Sequence, residues 1–394
     1  MIVCVPAGRT GSDVMETELR EIINRGRSEA ASDYIDRLEN RPGWSIVSLV
    51  DELFPLLLGE TNLRYANFHM VKMATFIRRL SIEGILSPET ERLTARLLVS
   101  ELIEREWIEF RAGGAHEGKR GAETSLEGFL EELNGNNVNN AFFHLQLIGR
   151  DDRDAVLNTL LRIGASSIPD SLGHTLSCFY PVMEDMADTG HPYRLASLFA
   201  YLMYLNRYGA GKEVLETDYG RPEEPLDIDE TLRICSSGDG IVNLHHMITL
   251  YILLRWEKAP FNAGGYSPFG ILLDWIGGKK KDRKDEESVA GLQPPENLPD
   301  EYGDFSGIFD LSDTGKTMGC LKGLMRRDPL ETADWLFRKY TDHYHPSTWD
   351  PHFHTSLYCS LKLYTEVEAA GEEACLMALR QALNYLAGKV GNGR

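Results

Sequence analysis

The chain has 394 residues, of which 42% are hydrophobic and 26% are charged, and its formal net charge at pH 7 is −19. A chain of this length can bury a large core, either in one large helical domain or in two smaller ones. The acidic balance argues against nonspecific binding of nucleic acids or anionic membranes, because those partners need a basic surface.

The six cysteines lie far apart and form no C-x-x-C pair, which argues against a zinc ribbon or a redox motif. The N-terminal segment has neither the basic start nor the apolar length of a signal peptide. No run of about 18 uncharged apolar residues predicts a membrane span. We therefore expect a reduced, cytoplasmic protein without a membrane anchor.

Helical periodicity extends over most of the chain and predicts one α-helical domain at 13–388. The predicted helices lie, in chain order, at 13–38, 44–59, 67–77, 88–110, 125–135, 139–149, 151–164, 172–183, 191–209, 227–238, 240–256, 315–327, 329–342, 350–369 and 372–388. No βαβ alternation and no repeat of fixed period occurs, so the predicted fold class is mainly α. Segment 278–304 is charged, contains prolines and has few apolar residues, and we interpret it as a flexible surface insertion.

Four of these helices each carry a histidine near the start of an apolar face, and the candidate metal ligands are His69, His174, His246 and His354. A lone histidine on such a face is usually a core residue with a hydrogen-bond partner. Buried imidazoles without partners would cost roughly 1–3 kcal/mol each, whereas a shared metal would satisfy all of them. Neutral imidazoles suit iron, zinc, copper or nickel, and a helical bundle can assemble such a site in its interior.

Neighbouring residues leave the choice of ligands open. We favour His246 because it shares a face with Thr249, Leu250 and Leu253, although His245 could equally be the inward residue. By the same argument His354 is favoured over His352, which we place in the N-terminal turn of its helix. His144 is a fifth candidate, and a core position suits it better. Lys72, three residues after His69, either snorkels outwards or lies near a metal in a modified form.

Other catalytic motifs are absent from the sequence. The segment DTGKT at 313–317 ends like a phosphate-binding loop, but Asp310 stands where the first glycine is required. The sequence contains neither H-E-x-x-H nor the nucleophile elbow G-x-S-x-G.

The order of the histidine motifs resembles that of the questin oxidase-like family, which includes fungal enzymes that open anthraquinone rings. The matching segments are Asn67-Phe68-His69, the helix of His174 followed by RLASLFAYLMYLNRY, His246-Met247-Ile248-Thr249, and Asp350-Pro351-His352-Phe353-His354. The resemblance covers residues 61–369. The family's lysine three positions after the last histidine is replaced here by Leu357 or Thr355.

This resemblance implies a non-haem oxidoreductase that holds Fe(II) or another divalent transition metal through His69, His174, His246 and His354. Dioxygen and a small apolar substrate of aromatic or polyketide type would be its partners. The alternative hypothesis is a non-catalytic helical protein that binds a ligand or a partner and uses the histidines as core hydrogen-bonding groups.

Overall fold

In a computed structural model of the chain, residues 21–22, 28–40, 43–59, 69–104, 125–187, 194–208, 226–262, 266–280, 282–296, 298, 313–342 and 351–392 are described. Their regular elements are 18 α-helices and one short 3-10 helix, with no strand among these residues. The prediction of a mainly α fold is confirmed.

The helices are numbered here in chain order. The first nine are α1 (Ser28–Glu39), α2 (Ile46–Gly59), α3 (His69–Ile82), α4 (Pro88–Glu104), α5 (Leu126–Asn134), α6 (Val138–Asp151), α7 (Arg153–Ser166), α8 (His174–Ser177) and α9 (Phe179–Ala187). The others are α10 (Arg194–Leu205), α11 (Ile228–Cys235), α12 (Ile241–Glu257), α13 (Phe269–Trp275), α14 (Arg283–Ala290), α15 (Thr314–Arg327), α16 (Pro329–Asp342), α17 (His352–Glu366) and α18 (Glu372–Asn392). The 3-10 helix, Pro260–Asn262, follows α12.

Several helices begin where a short polar side chain caps free backbone amides. The side chains of Ser125, Asp152, Asp227 and Asp313 accept hydrogen bonds from amides in the first turns of α5, α7, α11 and α15. The DTGKT segment is therefore the capped start of α15, which agrees with its failure to match a phosphate-binding loop.

Two helices lie deep in the core. One continuous hydrophobic cluster extends from Ile22 to Leu386. Every residue of α12 from Leu244 to Leu254 is buried, and so is every residue of α17 from Phe353 to Leu363. These two helices pack against each other, and α17 also contacts α3. Their N-terminal ends carry the histidines.

No described helix has both the length and the apolar character that crossing a membrane requires.

Most of the segment 278–304, which the sequence analysis interprets as a flexible surface insertion, is described by the structure. Residues 283–290 form α14, in which Val289 is fully buried. Asp285 accepts a hydrogen bond from the amide of Gly238 and pairs with Arg380 at 2.7 Å. A few well-placed contacts hold this segment against the core despite its polar composition. Residues 281, 297 and 299–304 lie outside the described part of the chain.

Candidate metal centre

Four imidazole rings meet at one end of the bundle. They belong to His69, His174, His245 and His352, which we term the histidine cluster. The centroid of the His69 ring lies 4.8 Å from that of His174 and 4.4 Å from that of His352. The His245 ring lies 4.5 Å from His174 and 4.7 Å from His352. One ring nitrogen from each of His69, His174 and His352 falls within 4.8 Å of the others. This group could hold a metal ion.

The cluster is built from the N-terminal ends of four helices. His69, His174 and His352 are the first residues of α3, α8 and α17, and His245 lies in the second turn of α12. The N-terminus of a helix carries a partial positive charge, which disfavours a protonated imidazole nearby. For His69 and His174, burial also holds the pKa well below its usual range, which favours the neutral form that coordinates metals.

A glycine brings two of these rings together. Gly173 precedes His174 in the left-handed conformation, with a φ of 73°. A Cβ atom at this position would lie 2.2 Å from Oγ1 of Thr249, one helical turn after His245. Only glycine combines this backbone conformation with such a close approach. The start of α8 can therefore lie directly against α12.

The hydrogen bonds of His174 and His245 define their tautomers. Nδ1 of His174 lies 2.7 Å from the carbonyl oxygen of Ser171, and Nδ1 of His245 lies 2.7 Å from that of Ile241. Because a carbonyl oxygen only accepts, each Nδ1 carries the proton and donates it. In the neutral rings both Nε2 atoms are consequently lone-pair acceptors, and they face each other at 3.1 Å.

Two lone pairs at this distance need a cation between them, either a proton or a metal ion. Burial holds the pKa of His174 well below its usual range, which disfavours a proton on this ring. Two nitrogens bound at about 2.0–2.1 Å to one ion would lie roughly 2.8–3.4 Å apart for bond angles of about 90–110°. The observed separation fits a metal.

His69 supports the same conclusion. Burial is the main reason that its pKa lies well below the usual range, and His352 and Lys72 lower it further. Its Nδ1 atom is buried and has no hydrogen-bond partner among the described residues. A buried, neutral imidazole with an unsatisfied nitrogen suits coordination better than it suits core packing.

Lys72 points into the protein. Its side chain is fully buried, and its Nζ atom donates a hydrogen bond of 3.1 Å to Oγ of Ser177. The expectation that it snorkels outwards is wrong. Its charge lowers the pKa of both His69 and His174. Lys72 is therefore an electrostatic neighbour of the cluster.

The structure does not bring His246 or His354 into the cluster. The His246 ring packs edge-on against Trp275 at 4.3 Å, and Nζ of Lys279 lies 3.4 Å from its Nδ1. His354 is buried beside Phe337 and Tyr340. A step of one residue along a helix turns the side chain by about 100°, and a step of two turns it by about 200°. Each neighbouring histidine therefore faces a different part of the core.

The sequence analysis predicted two members of the cluster, His69 and His174. For the other two positions it favoured His246 and His354, whereas the cluster contains their neighbours His245 and His352. A signal for His245 and His352 was present: each precedes a tyrosine by six residues, as His174 does. His144 lies on α6, with its ring beside Gly128 of α5. Asn67, Phe68 and Asp350 lie outside the described residues.

The buried His354 should make the fold sensitive to acid. Burial lowers its pKa to about 4. In the unfolded chain the pKa of a histidine is about 6.5. Between pH 6.5 and pH 4 the unfolded chain therefore binds a proton that His354 does not bind in the folded chain. The free energy of unfolding consequently falls as pH falls, by up to about 1.4 kcal/mol per pH unit. We expect His354→Leu to flatten the pH dependence of the unfolding free energy between pH 6.5 and pH 4, measured by urea denaturation. An unchanged slope would contradict this assignment.

A cleft of about 810 Å³ lies at the opposite end of the same helices. It is lined by the C-terminal residues of α12, among them Arg255 and Trp256, and by the chain that follows α17, including Val367. Tyr251 contributes its inner wall. The cleft is therefore separate from the histidine cluster.

Comparison of the chain with protein-family models, with curated proteins and with solved structures found no match. The family resemblance accordingly stays a prediction, and the functional argument depends on the histidine cluster itself.

Proposed function

We propose that the histidine cluster binds one divalent transition-metal ion and that the protein is a questin oxidase-like, metal-dependent oxidoreductase. The observation that carries the proposal is the pair of acceptor Nε2 atoms of His174 and His245 at 3.1 Å. Two neutral histidines in these tautomers cannot hydrogen-bond to each other at this contact. Nitrogen donors alone suit iron, copper, nickel and zinc, and iron is the metal that the family resemblance implies.

The surroundings of the cluster also bear on its substrate. Lys72 is a positive charge close to both His69 and His174. Neutral ligands leave the charge of a divalent ion uncompensated, and the helix N-termini add to the positive potential. The site therefore favours an anionic co-ligand, such as a phenolate or enolate oxygen, which agrees with an aromatic or polyketide-type substrate.

The chain's own residues orient and shield the site. The carbonyl oxygens of Ser171 and Ile241 hold the rings of His174 and His245 in one tautomer and one orientation, as outer-shell partners of metal ligands commonly do. His174 and His245 are buried, and His352 is half-buried. A redox-active ion with an open coordination position would supply the chemistry for dioxygen.

Elemental analysis tests the proposal. Protein purified without chelator from cells supplied with iron, manganese, copper, nickel and zinc should contain about one transition-metal ion per chain. X-ray absorption should show imidazole nitrogens at about 2.0–2.2 Å from the ion. The absence of any stoichiometric metal would overturn the proposal. Zinc alone with four protein ligands and no open position would indicate a structural site and overturn the oxidoreductase assignment.

Lys72→Met should increase the affinity for the metal at pH 8. The substitution removes a buried positive charge that disfavours a second cation, at the expense of the hydrogen bond to Ser177. Competition with a chromogenic chelator would measure the change. Lys322→Met is a matched control, because this buried lysine donates to the carbonyl oxygen of Leu292. A lower affinity in Lys72→Met would contradict the repulsive effect and would place Lys72 among the ligands.

A further inference from the structure

A second layer of side chains repeats the arrangement of the cluster. Three of the clustered histidines precede a buried tyrosine by six residues; the pairs are His174 and Tyr180, His245 and Tyr251, and His352 and Tyr358. On α12 and α17, six residues advance the helix by roughly 9 Å, whereas His174 and Tyr180 lie on the consecutive helices α8 and α9. Phe76, seven residues after His69, occupies the corresponding position on α3. Tyr180, Tyr251 and Tyr358 are termed the tyrosine layer.

The rings of this layer are in contact. The hydroxyl oxygens of Tyr180 and Tyr358 lie 3.1 Å apart, within hydrogen-bond distance. The ring of Phe76 stacks on that of Tyr358, with centroids 4.2 Å apart and an interplanar angle of 11°. The ring of Tyr251 lies 6.0 Å from that of Tyr358. The tyrosine layer is therefore one connected aromatic unit below the cluster.

Apolar packing alone does not explain three buried hydroxyl groups. The residues of the layer are at most 1% exposed, and the hydroxyl of Tyr251 has no hydrogen-bond partner among the described residues. Phenylalanine would fill similar space without a polar group to desolvate. A buried hydroxyl group without a partner calls for an explanation, and a redox role is one such explanation.

We propose that Tyr180 and Tyr358 form a hydrogen-bonded redox pair that stores a one-electron oxidation produced at the histidine cluster. The inference rests on the proposed metal function. The oxidant is a peroxide. Reduction of hydrogen peroxide to two molecules of water takes up two electrons and two protons. The phenol that is oxidised supplies one electron and one proton, a divalent ion held by the histidine cluster would supply the second electron, and water would supply the second proton.

The hydrogen bond lets the oxidation move within the pair. When one tyrosine is a phenoxyl radical, the other phenol transfers its electron to the radical and its proton to the radical's oxygen across the 3.1 Å contact. The O–H bond that breaks on one residue forms on the other, so the exchange needs no external base. A buried pair of this kind also keeps the radical away from bulk water, since both side chains are enclosed by the core.

Electron paramagnetic resonance tests the pair directly. Iron-loaded protein that is mixed with hydrogen peroxide and frozen should give a tyrosyl radical signal, and the signal should narrow when the protein contains ring-deuterated tyrosine. Tyr180→Phe and Tyr358→Phe should each reduce the signal to background while the iron content stays unchanged. Tyr266→Phe, at a buried tyrosine that contacts Arg162, should retain the signal. Metal-free protein should give none.

The outcomes separate the two proposals. Protein that binds iron but gives no tyrosyl signal would overturn the redox pair and leave the metal centre standing. A signal that survives in both Tyr180→Phe and Tyr358→Phe would also overturn the pair, because the radical would then reside elsewhere. Protein that binds no metal would overturn the metal centre and the pair together.

Discussion

Replacing His245 with alanine is expected to abolish metal binding, whereas replacing the adjacent His246 is expected to leave it intact. His245 lies in the cluster, with its Nε2 atom 3.1 Å from that of His174. His246 instead packs against Trp275. Loss of an outer-shell partner typically costs 10–100-fold in metal affinity, so loss of a ligand should cost more than about 100-fold.

Metal content and chelator competition, measured side by side on the two variants, would test this expectation. His246→Ala is the matched control, since it truncates the same side chain on the same buried helix. It should reduce stability by about 1–3 kcal/mol through the lost packing and the lost contact with Lys279, without releasing the metal. Release of the metal from His246→Ala with retention in His245→Ala would reverse the assignment.

Gly173→Ala is expected to destabilise the protein by about 2–5 kcal/mol and to weaken metal binding. The left-handed backbone conformation contributes about 1–2 kcal/mol of this cost for a residue with a Cβ atom. The new methyl group would overlap Oγ1 of Thr249, at 2.2 Å, and such overpacking costs about 1–3 kcal/mol. Relief of the overlap would push α8 away from α12, and the rings of His174 and His245 would separate.

Gly84→Ala separates the two contributions. Gly84 has nearly the same backbone conformation, with a φ of 70°, but a Cβ atom there would meet nothing within 4 Å. Denaturant unfolding should therefore show a smaller loss for Gly84→Ala, and metal affinity should not change. Adding Thr249→Ala to Gly173→Ala should restore part of the stability, since it removes the overlapping atom. Equal losses in the two glycine variants would contradict a close approach of α8 to α12.

Local patterns in the sequence were sufficient for the helices. Pro88 at the first turn and Ser125 at an N-cap mark the starts of α4 and α5, because these residues satisfy or remove backbone amides that have no partner within the helix. In 278–304 the low apolar content of the segment did not indicate α14. Its contacts through Asp285 and Val289 come from residues distant in sequence, which composition does not reveal.

The sequence by itself determined the mainly α fold and the presence of histidines at the starts of several apolar helices, because caps and periodicity act over a few residues. Only the tertiary structure decided between His245 and His246 and between His352 and His354. Both α12 and α17 are buried on every side, so neither has a single apolar face that distinguishes an inward residue. The positions of the neighbouring helices decide which histidine of each pair enters the cluster. For His245, the close approach of Gly173 to Thr249 brings the ring of His174 beside it.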